Sequence, residues 1–326
     1  MIVLVTGGTG FIGSNLVRCL LGAGASVRVL DDLSTGRQEN LDGLNGGLDL
    51  VVGDVRDVEV LASVVRGTEV VYHLAALPSV ARSIADPVAT HDVNATGTLK
   101  VLVSARDAGV RRVVYASSSS VYGDTPILPK HEGMPVAPLS PYAASKLAGE
   151  AYCRSFTRSF GLETVALRFF NVFGPRQDPA SQYAAVIPRF VNQVLQGESP
   201  TVFGDGEQSR DFTYIGNVVQ ACVLAAEAAA EASGQAMNVG FGRRTTLLEL
   251  IQILGRIVGR EIEPAFAPPR PGDVRDSLAD ISMAERLIGY RPLMDLRGGL
   301  TETVEWFERA RRRVAVPARS IEEGER

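Results

Sequence analysis

The stretch that decides the fold is Ile2-Val-Leu-Val-Thr-Gly-Gly-Thr-Gly-Phe-Ile-Gly13, which leads into a helical pattern and a second apolar run, Val27–Leu30, that ends at Asp31. Short apolar runs are typical of buried strands, and glycines between a strand and a helix mark a tight turn. The order is therefore strand, glycine turn, helix, strand and acid. This order predicts a βαβ unit with two parallel strands.

The βαβ unit has the pattern of a dinucleotide site. Gly7, Gly10 and Gly13 let the backbone approach a pyrophosphate, and the start of the following helix offers unpaired N–H groups and a positive dipole end. Asp31, backed by Asp32, can accept hydrogen bonds from the adenosine ribose, which favours NAD over NADP. Arg28 and Arg37 are the nearby cations that would favour NADP. Although the glycine spacing is GxxGxxG rather than GxGxxG, we expect NAD.

Apolar runs and helical patterns alternate along the first half of the chain. The runs lie near residues 2–5, 27–30, 49–52, 69–74, 112–116 and 164–168, with helical patterns such as Ser14–Leu21 and Thr96–Asp107 between them. This alternation predicts an α/β fold, a Rossmann-type doubly wound parallel sheet with helices on both faces. Prolines punctuate the chain after residue 174 and indicate a smaller C-terminal α/β lobe that binds substrate.

The domain boundary is expected to be discontinuous. An alanine-rich helix around 218–232 and the strand Ala236–Val239 return to the first domain in this interpretation. We predict an NAD-binding domain over 1–174 plus about 211–240 and a substrate lobe over about 175–210 plus 241–312. The charged segment 313–326, poor in large apolar residues, is predicted to be a flexible tail.

Composition narrows the class of protein. A formal net charge of −4 over 326 residues gives no bulk attraction to nucleic acid or to anionic lipid. No apolar run approaches the ~20 residues of a membrane span, and no basic leader precedes the first strand, so we expect a cytoplasmic enzyme. Cys19, Cys153 and Cys222 are scattered without metal-type spacing, and we predict no metal site.

Tyr142 and Lys146 are the candidate catalytic pair. They lie four residues apart in Pro141-Tyr-Ala-Ala-Ser-Lys-Leu-Ala-Gly-Glu150, a stretch of helical composition, so both side chains should project from one helical face. An adjacent ammonium and the positive nicotinamide of NAD⁺ would favour the phenolate, which suits a general base. Ser118, in a serine run at the end of the fifth strand, could add a hydroxyl to the same site.

These segments together resemble an extended short-chain dehydrogenase/reductase of the NAD-dependent sugar-nucleotide epimerase and dehydratase family. Further matches are Gly53-Asp-Val55, His73-Leu-Ala-Ala76 and Arg168-Phe-Phe-Asn-Val-Phe-Gly174. The resemblance implies that Tyr142 is the base, that Lys146 orients the cofactor ribose and that Ser118 hydrogen-bonds the reacting sugar hydroxyl. It implies cofactor contacts at Gly7, Gly10, Phe11, Ile12, Gly13, Asp31, Asp32, Ser34, Gly36, Asp54, Val55, Leu74, Ala75, Ala76, Asn94, Tyr142, Lys146 and Phe169.

The resemblance also implies a nucleotide-sugar site in the second half of the chain. Arg210 and Arg270 match the family's diphosphate-binding arginines, a role that suits the planar guanidinium fork, and Asp273 resembles its uridine-ribose ligand. The full set of expected substrate contacts is Ser79, Arg82, Ser118, Ser119, Asn171, Val186, Arg210, Arg270, Asp273 and Ser277.

Several branches of the family are open. A 4,6-dehydratase carries Asp-Glu after the catalytic hydroxyl residue, where this chain has Ser119 and Ser120, and the acid typical of uronate decarboxylases is missing. Redox epimerisation at C4 of a UDP-hexose therefore fits best. Uronate 4-epimerases generally carry Thr in place of Asn171, although the serine run resembles theirs. Another NDP-sugar epimerase or dehydratase and a non-catalytic NAD-binding scaffold are the remaining alternatives.

The chain is more similar to the subgroup of 4-epimerases that act on N-acetylated UDP-hexoses. Ser277 aligns with a wall position that is Tyr in epimerases restricted to non-acetylated sugars, so the small side chain leaves space for a 2-acetamido group. Pro78 departs from the glycine common in that subgroup. A homodimer is expected through the helices near 96–107 and 142–158, because the second helix carries more small and apolar residues than one buried face needs.

Overall fold

The computed structural model describes residues 1–44, 46–179, 185–269 and 275–315. Thirteen strands, β1 to β13, follow one another along this part of the chain. They span Ile2–Thr6, Ser26–Asp31, Leu48–Val52, Val70–His73, Arg112–Ser118, Glu163–Phe169, Val172–Phe173, Thr201–Phe203, Ser209–Arg210, Thr213–Tyr214, Gln235–Val239, Thr245–Thr246 and Ala265–Ala267.

The described helices are numbered α1 to α11 in chain order. They span Phe11–Gly22, Val58–Val65, Val80–Ala85, Pro87–His91, Gly97–Asp107, Pro141–Phe160, Val186–Gln196, Ile215–Glu227, Leu247–Val258, Ser282–Ile288 and Leu296–Ala315. A π-turn over Asp92–Thr96 joins α4 to α5. No helix of the described residues is long and apolar enough to cross a membrane.

Seven parallel strands form the central sheet in the order β11-β6-β5-β4-β1-β2-β3. Helices α1 and α8 pack together on one face, and α2, α5 and α6 pack on the other. The inner strands β1, β4 and β5 are buried almost throughout, as expected for strands covered on both faces. The predicted Rossmann-type doubly wound sheet is confirmed.

A second lobe is built from short paired strands and amphipathic helices. The pairs are β8 with β13, β9 with β12 and β10 with β7, and helix α11 packs on α7 and α9. Its apolar residues, such as Phe190 and Leu250, are continuous with those of the sheet domain, so the two lobes share one core. The proposed domain boundaries stay a prediction, although β11 does pair with β6 in the central sheet.

The helix predicted around 218–232 ends earlier, at Glu227. The guanidinium of Arg112, which is 1% exposed, accounts for this ending. It donates to the carbonyl oxygens of Ala225 at 3.0 Å, Ala226 at 3.2 Å and Ala228 at 2.5 Å. These are carbonyls that the last helical turn leaves without intrahelical partners, so a buried cation from β5 caps the helix. The predicted helix does form, but its last part is a separate 3-10 turn over Ala230–Ala232, because the sequence does not show this distant partner.

Candidate active site

The glycine turn after β1 lies at the carboxyl edge of the central sheet, where parallel α/β sheets bind ligands. Gly7 has φ 71°, and a Cβ there would lie 2.7 Å from the amide nitrogen of Ala75. A Cβ on Gly13 would lie 2.1 Å from the carbonyl oxygen of Gly7. Helix α1 begins after Gly10 without a side-chain cap, so its first N–H groups are left for a ligand.

The cradle beside this turn fits the adenosine end of a dinucleotide. The carboxylate of Asp31 accepts the backbone N–H of Thr9 at 2.9 Å and that of Leu33 at 2.9 Å, which fixes the acid at the end of β2. The hydroxyl of Thr9 is buried and has no hydrogen-bond partner among the described residues. A Cβ on Gly36 would lie 1.9 Å from that hydroxyl. Gly36 therefore packs directly against this hydroxyl, and a buried hydroxyl without a protein partner is a group that a bound polar ligand could satisfy.

The cations that could favour NADP are engaged elsewhere. Arg28 pairs with Asp49 at 3.2 Å, and Arg37 pairs with Asp178 at 2.7 Å. Asp32 accepts the hydroxyl of Ser34 at 2.6 Å. This acidic end of β2 agrees with the choice of NAD.

Other predicted cofactor contacts lie along the same edge. Val55 is buried, and Phe169 ends β6. The carboxylate of Asp54 pairs with Arg56 at 2.6 Å, and this guanidinium holds the pKa of Asp54 below its ordinary value. The side-chain amide of Asn94 is hydrogen-bonded within the protein: its oxygen accepts the N–H of Leu77 at 2.7 Å, and its NH₂ group donates to the hydroxyl of Ser145 at 3.1 Å. The segment 74–77 is thereby held against α6.

Helix α6 carries the candidate catalytic pair. Ser140 caps it by accepting the N–H of Ala143 at 3.1 Å, and Pro141 occupies the first turn, so Tyr142 and Lys146 lie at the start of a well-defined helix. The Lys146 Nζ lies 6.0 Å from the centroid of the Tyr142 ring. Ser118, at the end of β5, interacts with the Tyr142 phenol. The structure therefore brings together the three side chains predicted for catalysis.

The electrostatics of the pair differ from the expectation. Burial raises the pKa of the Tyr142 phenol, and the hydrogen bond with Ser118 offsets only part of this rise. Burial lowers the pKa of Lys146 to about 8. In the protein alone the ammonium donates to the carbonyl oxygen of Ala116 at 2.9 Å rather than to the phenol. The predicted lowering of the Tyr142 pKa is therefore not a property of the side chains by themselves.

A buried ion pair that the sequence does not reveal lies one helical turn beyond Lys146. Arg168 donates to both carboxylate oxygens of Glu150, at 2.8 and 2.7 Å, and also to the hydroxyl of Tyr122 at 2.8 Å. Ser117 donates to the same carboxylate at 2.5 Å. Glu150 follows Lys146 by one helical turn, so this network fixes α6 against the ends of β5 and β6. Arg168 and Glu150 both belong to motifs that carry the family resemblance, but their spacing in the sequence does not show that they are in contact.

A cavity of about 240 Å³ opens beside Asn171. It brings together three of the predicted substrate contacts, Asn171, Val186 and Arg210. Its remaining walls include residues that sequence analysis did not single out, namely Val172, Phe173, Ala185, Ile187, Arg189, Phe203, Gln208, Phe212 and Leu247. Two arginines, Arg189 and Arg210, beside aromatic and aliphatic walls suit a ligand with an anionic part and a flat ring.

Ser277 lies directly behind Asn171. Its hydroxyl accepts a hydrogen bond from the Asn171 amide at 2.9 Å, and its side chain is 6% exposed. Ser119 lies in the short turn after Ser118, while Ser79 caps α3, which carries Arg82. Arg270 and Asp273 lie outside the described residues.

Comparison with known proteins identifies the family. The model of the NAD dependent epimerase/dehydratase family matches residues 3–240. The chain belongs to the NAD dependent epimerase/dehydratase family. The predicted family and its NAD dependence are thereby confirmed, and the UDP-sugar 4-epimerases among the relatives described next confirm the isomerase class of the enzyme.

Members of this epimerase/dehydratase family resemble the chain over nearly its whole length. A UDP-glucose 4-epimerase of Mycolicibacterium smegmatis is 43% identical over 311 residues, which is 94% of this chain and 98% of that protein. The solved UDP-N-acetylglucosamine 4-epimerase of Methanobrevibacter ruminantium, in complex with UDP-N-acetylmuramic acid, is 42% identical with a TM-score of 0.90, covering 94% of this chain and 98% of that one. The UDP-glucose 4-epimerase of Thermotoga maritima, solved with UDP-glucose, is 38% identical with a TM-score of 0.90, covering 95% and 99%.

Proposed function

We propose that the protein interconverts the C4 epimers of a UDP-hexose and that its preferred pair is UDP-GlcNAc and UDP-GalNAc. The observation that carries the proposal is the placement of Ser118, Tyr142 and Lys146 at one sheet edge. The cavity of Asn171 and Arg210 lies close in the chain to this edge, because Asn171 comes two residues after Phe169, which pairs with Ser118. The UDP-sugar 4-epimerases among its relatives support the reaction class.

In this mechanism the protein's own groups move one proton and hold one hydroxyl. Ser118 hydrogen-bonds the 4-hydroxyl of the sugar, and the Tyr142 oxygen removes its proton as C4 is oxidised. Bound NAD supplies the acceptor and later the donor of the C4 hydride and, as NAD⁺, a positive charge that favours the phenolate. The 4-keto sugar then rotates within the site so that its opposite face is reduced, and Tyr142 returns the proton to O4.

The lining of the cavity supports a nucleoside diphosphate as the part of the substrate that is bound there. Arg210 lines it, and guanidinium groups suit phosphate oxygens. Phe203 and Phe212 offer aromatic surface for a base. The side-chain oxygen of Gln208 is buried without a hydrogen-bond partner in the described part of the chain, so it can accept an N–H such as that of uracil N3.

The size of Ser277 supports the acetylated sugars. Ser277 is hydrogen-bonded to Asn171 of the cavity, and it stands at a position where the family resemblance implies a tyrosine in enzymes restricted to non-acetylated sugars. A serine there would keep room for a group on C2. The serines at 119 and 120, in place of an acid pair, speak against dehydration, because elimination needs groups that move a second proton. A UDP-glucuronate 4-epimerase is the alternative.

The test is direct. The purified protein is incubated separately with UDP-GlcNAc, UDP-GalNAc, UDP-glucose, UDP-galactose and UDP-glucuronate, and the products are identified by NMR. The proposal expects conversion of the acetylated pair with the highest kcat/KM. Conversion of UDP-glucuronate alone would establish the alternative, and a 4-keto-6-deoxy product would establish a dehydratase. Absence of turnover with every sugar, in protein that carries NAD, would refute catalysis on UDP-hexoses.

We also propose that the enzyme is a homodimer. Helices α5 and α6 lie side by side on one face of the sheet. In the single chain Ala144 and Ala151 are exposed, and Leu147, Ala148 and Tyr152 are only half-buried. Small apolar residues along one helix face allow close helix–helix contact with a second copy.

A further inference from the structure

Asp211 lies between the two lobes and is fully buried. Its carboxylate accepts three backbone N–H groups, from Phe241 at 2.8 Å, Gly242 at 3.0 Å and Ala279 at 3.0 Å. Phe241 and Gly242 follow the edge strand β11 of the central sheet. Ala279 belongs to the loop that carries Ser277, two residues earlier. One carboxylate therefore ties the end of the sheet to the loop that carries Ser277.

The backbone of Asp211 contacts the side chains of Asn171 and Ser277. Its carbonyl oxygen accepts the Asn171 amide at 3.2 Å, and its N–H donates to the Ser277 hydroxyl at 3.4 Å. The same Asn171 amide donates to Ser277 at 2.9 Å. Asn171 has φ 34°, in the left-handed region that a non-glycine residue rarely adopts. Its orientation therefore depends on contacts that hold it, and both contacts of its amide involve this junction.

The carboxylate of Asp211 and the side chain of Ala279 pack closely against Gly240, which has no room for a side chain of its own. A Cβ on Gly240 would lie 2.9 Å from an oxygen of Asp211 and 2.6 Å from the Cβ of Ala279. Arg210, the preceding residue, donates to the carbonyl oxygens of Ser209 at 2.9 Å and Arg275 at 2.8 Å. A displacement of Asp211 would therefore move the loop of Ser277 and Arg210 together.

We propose that Asp211 is a positioning residue that sets the distance between Asn171 and Ser277 and thereby the discrimination between UDP-hexoses that differ at C2. It acts through its three backbone hydrogen bonds and touches no reacting atom. The inference rests on the proposed function, because it concerns the wall of that same site.

The test compares two isosteric variants of buried side chains. Asp211→Asn turns one acceptor oxygen into a donor that faces an N–H, so at least one of the three hydrogen bonds is lost. The control is Asn217→Asp in α8, which is 1% exposed and also makes three backbone hydrogen bonds, with Leu293 at 2.9 Å and with Met294 at 3.0 and 2.8 Å. Both variants should lose stability. Turnover is normalised to the NAD content of each preparation.

The readout is the ratio of kcat/KM for UDP-GalNAc to that for UDP-galactose. Asp211→Asn should lower this ratio about tenfold, because a hydrogen bond to a charged group is lost at the wall, while Asn217→Asp leaves the ratio unchanged. Equal losses on both sugars in Asp211→Asn would overturn the inference. If that variant does not fold, Ser277→Ala, which removes the hydroxyl between Asp211 and Asn171 and keeps the carboxylate, should shift the ratio. An unchanged ratio there would also overturn it.

Failure of the proposed function gives a different result. A wild type that turns over neither sugar refutes the epimerase proposal, and calorimetric affinities for UDP-GalNAc and UDP-galactose then replace kcat/KM in the same comparison. A shifted affinity ratio in Asp211→Asn alone would still support its positioning role. The same change of the affinity ratio in Asp211→Asn and Asn217→Asp would reject this role.

Discussion

The ammonium of Lys146 donates a 2.9 Å hydrogen bond to the carbonyl oxygen of Ala116, two residues before Ser118 on β5. This bond joins α6 to the strand that ends at the candidate serine, so the lysine has a structural partner in addition to its proposed chemical role. Its burial lowers its pKa to about 8, which makes its protonation state testable.

Replacement of Tyr142 by Phe should lower the turnover number by ~10²–10⁴-fold, because it removes the proposed base and keeps most of the ring packing. The measurement is steady-state epimerisation at equal NAD content. Tyr152→Phe, on the same helix but half-buried away from the sheet edge, is the control and should be near wild type. Near-normal turnover of Tyr142→Phe would exclude the phenol as base.

The Lys146→Met variant should change how stability depends on pH in cofactor-free protein. The pKa of Lys146 is about 8 in the folded state against an ordinary 10.5. The unfolded chain therefore binds more protons between these values, and wild-type stability gains about 1.4 kcal/mol per pH unit there from this group. Chemical denaturation at about pH 7.5 and about pH 10 should show the variant losing roughly 2 kcal/mol relative to wild type as pH rises. A parallel pH dependence in the two proteins would contradict the lowered pKa.

The Gly36→Ala variant should purify with less bound NAD, since the added Cβ would lie 1.9 Å from the Thr9 hydroxyl and 3.1 Å from a carboxylate oxygen of Asp31. Gly22→Ala is the control, because nothing lies within 4 Å of its added Cβ at the end of α1. Nucleotide released by denaturation is quantified by absorbance and chromatography. Full NAD content in Gly36→Ala would place the adenosine ribose elsewhere.

Substitution of Ser277 by Tyr should reduce kcat/KM for UDP-GalNAc roughly ten- to hundredfold, since overpacking of this kind costs ~1–3 kcal/mol. UDP-galactose should be spared, because it carries only a hydroxyl at C2. Side-by-side kinetics decide between the outcomes. Equal losses on both sugars would mean that the residue is only structural.

The proposed dimer predicts a mass of two chains in light scattering at assay concentration. Ala151→Glu, on the exposed face of α6, should shift the protein towards one chain, because a charge would be buried at the contact. Ala230→Glu, on the turn after α8, is the control. A single-chain mass for the wild type would remove the proposal.

Much of the fold could be predicted from local pattern. Strands buried on both faces are continuous apolar runs, so β1, β2 and β5 were placed within a few residues, and the fixed spacing of Tyr142 and Lys146 put both on one helix face. The residues that needed three-dimensional information are those whose partners are distant in sequence. Arg168 on β6 contacts Glu150 on α6, and Asp211 contacts Ala279, which lies 68 positions later in the chain. Asp211 stands next to Arg210, but nothing in the sequence indicates which backbone groups it holds.

The return of the chain to the sheet at β11 has a consequence for modularity. Strand β11 lies outside β6, and it is reached only after the chain has built α7 and the cavity wall around Arg210. A fragment that stops at residue 174 would leave β6 as an unpaired, apolar edge and would lack the helix α8 that covers α1. Such an edge invites association with other chains. The sheet domain can therefore not be moved between proteins as one continuous segment. An exchange of the second lobe between relatives has to replace two separate stretches of chain, before and after residues 215–239, and keep those residues with the N-terminal part.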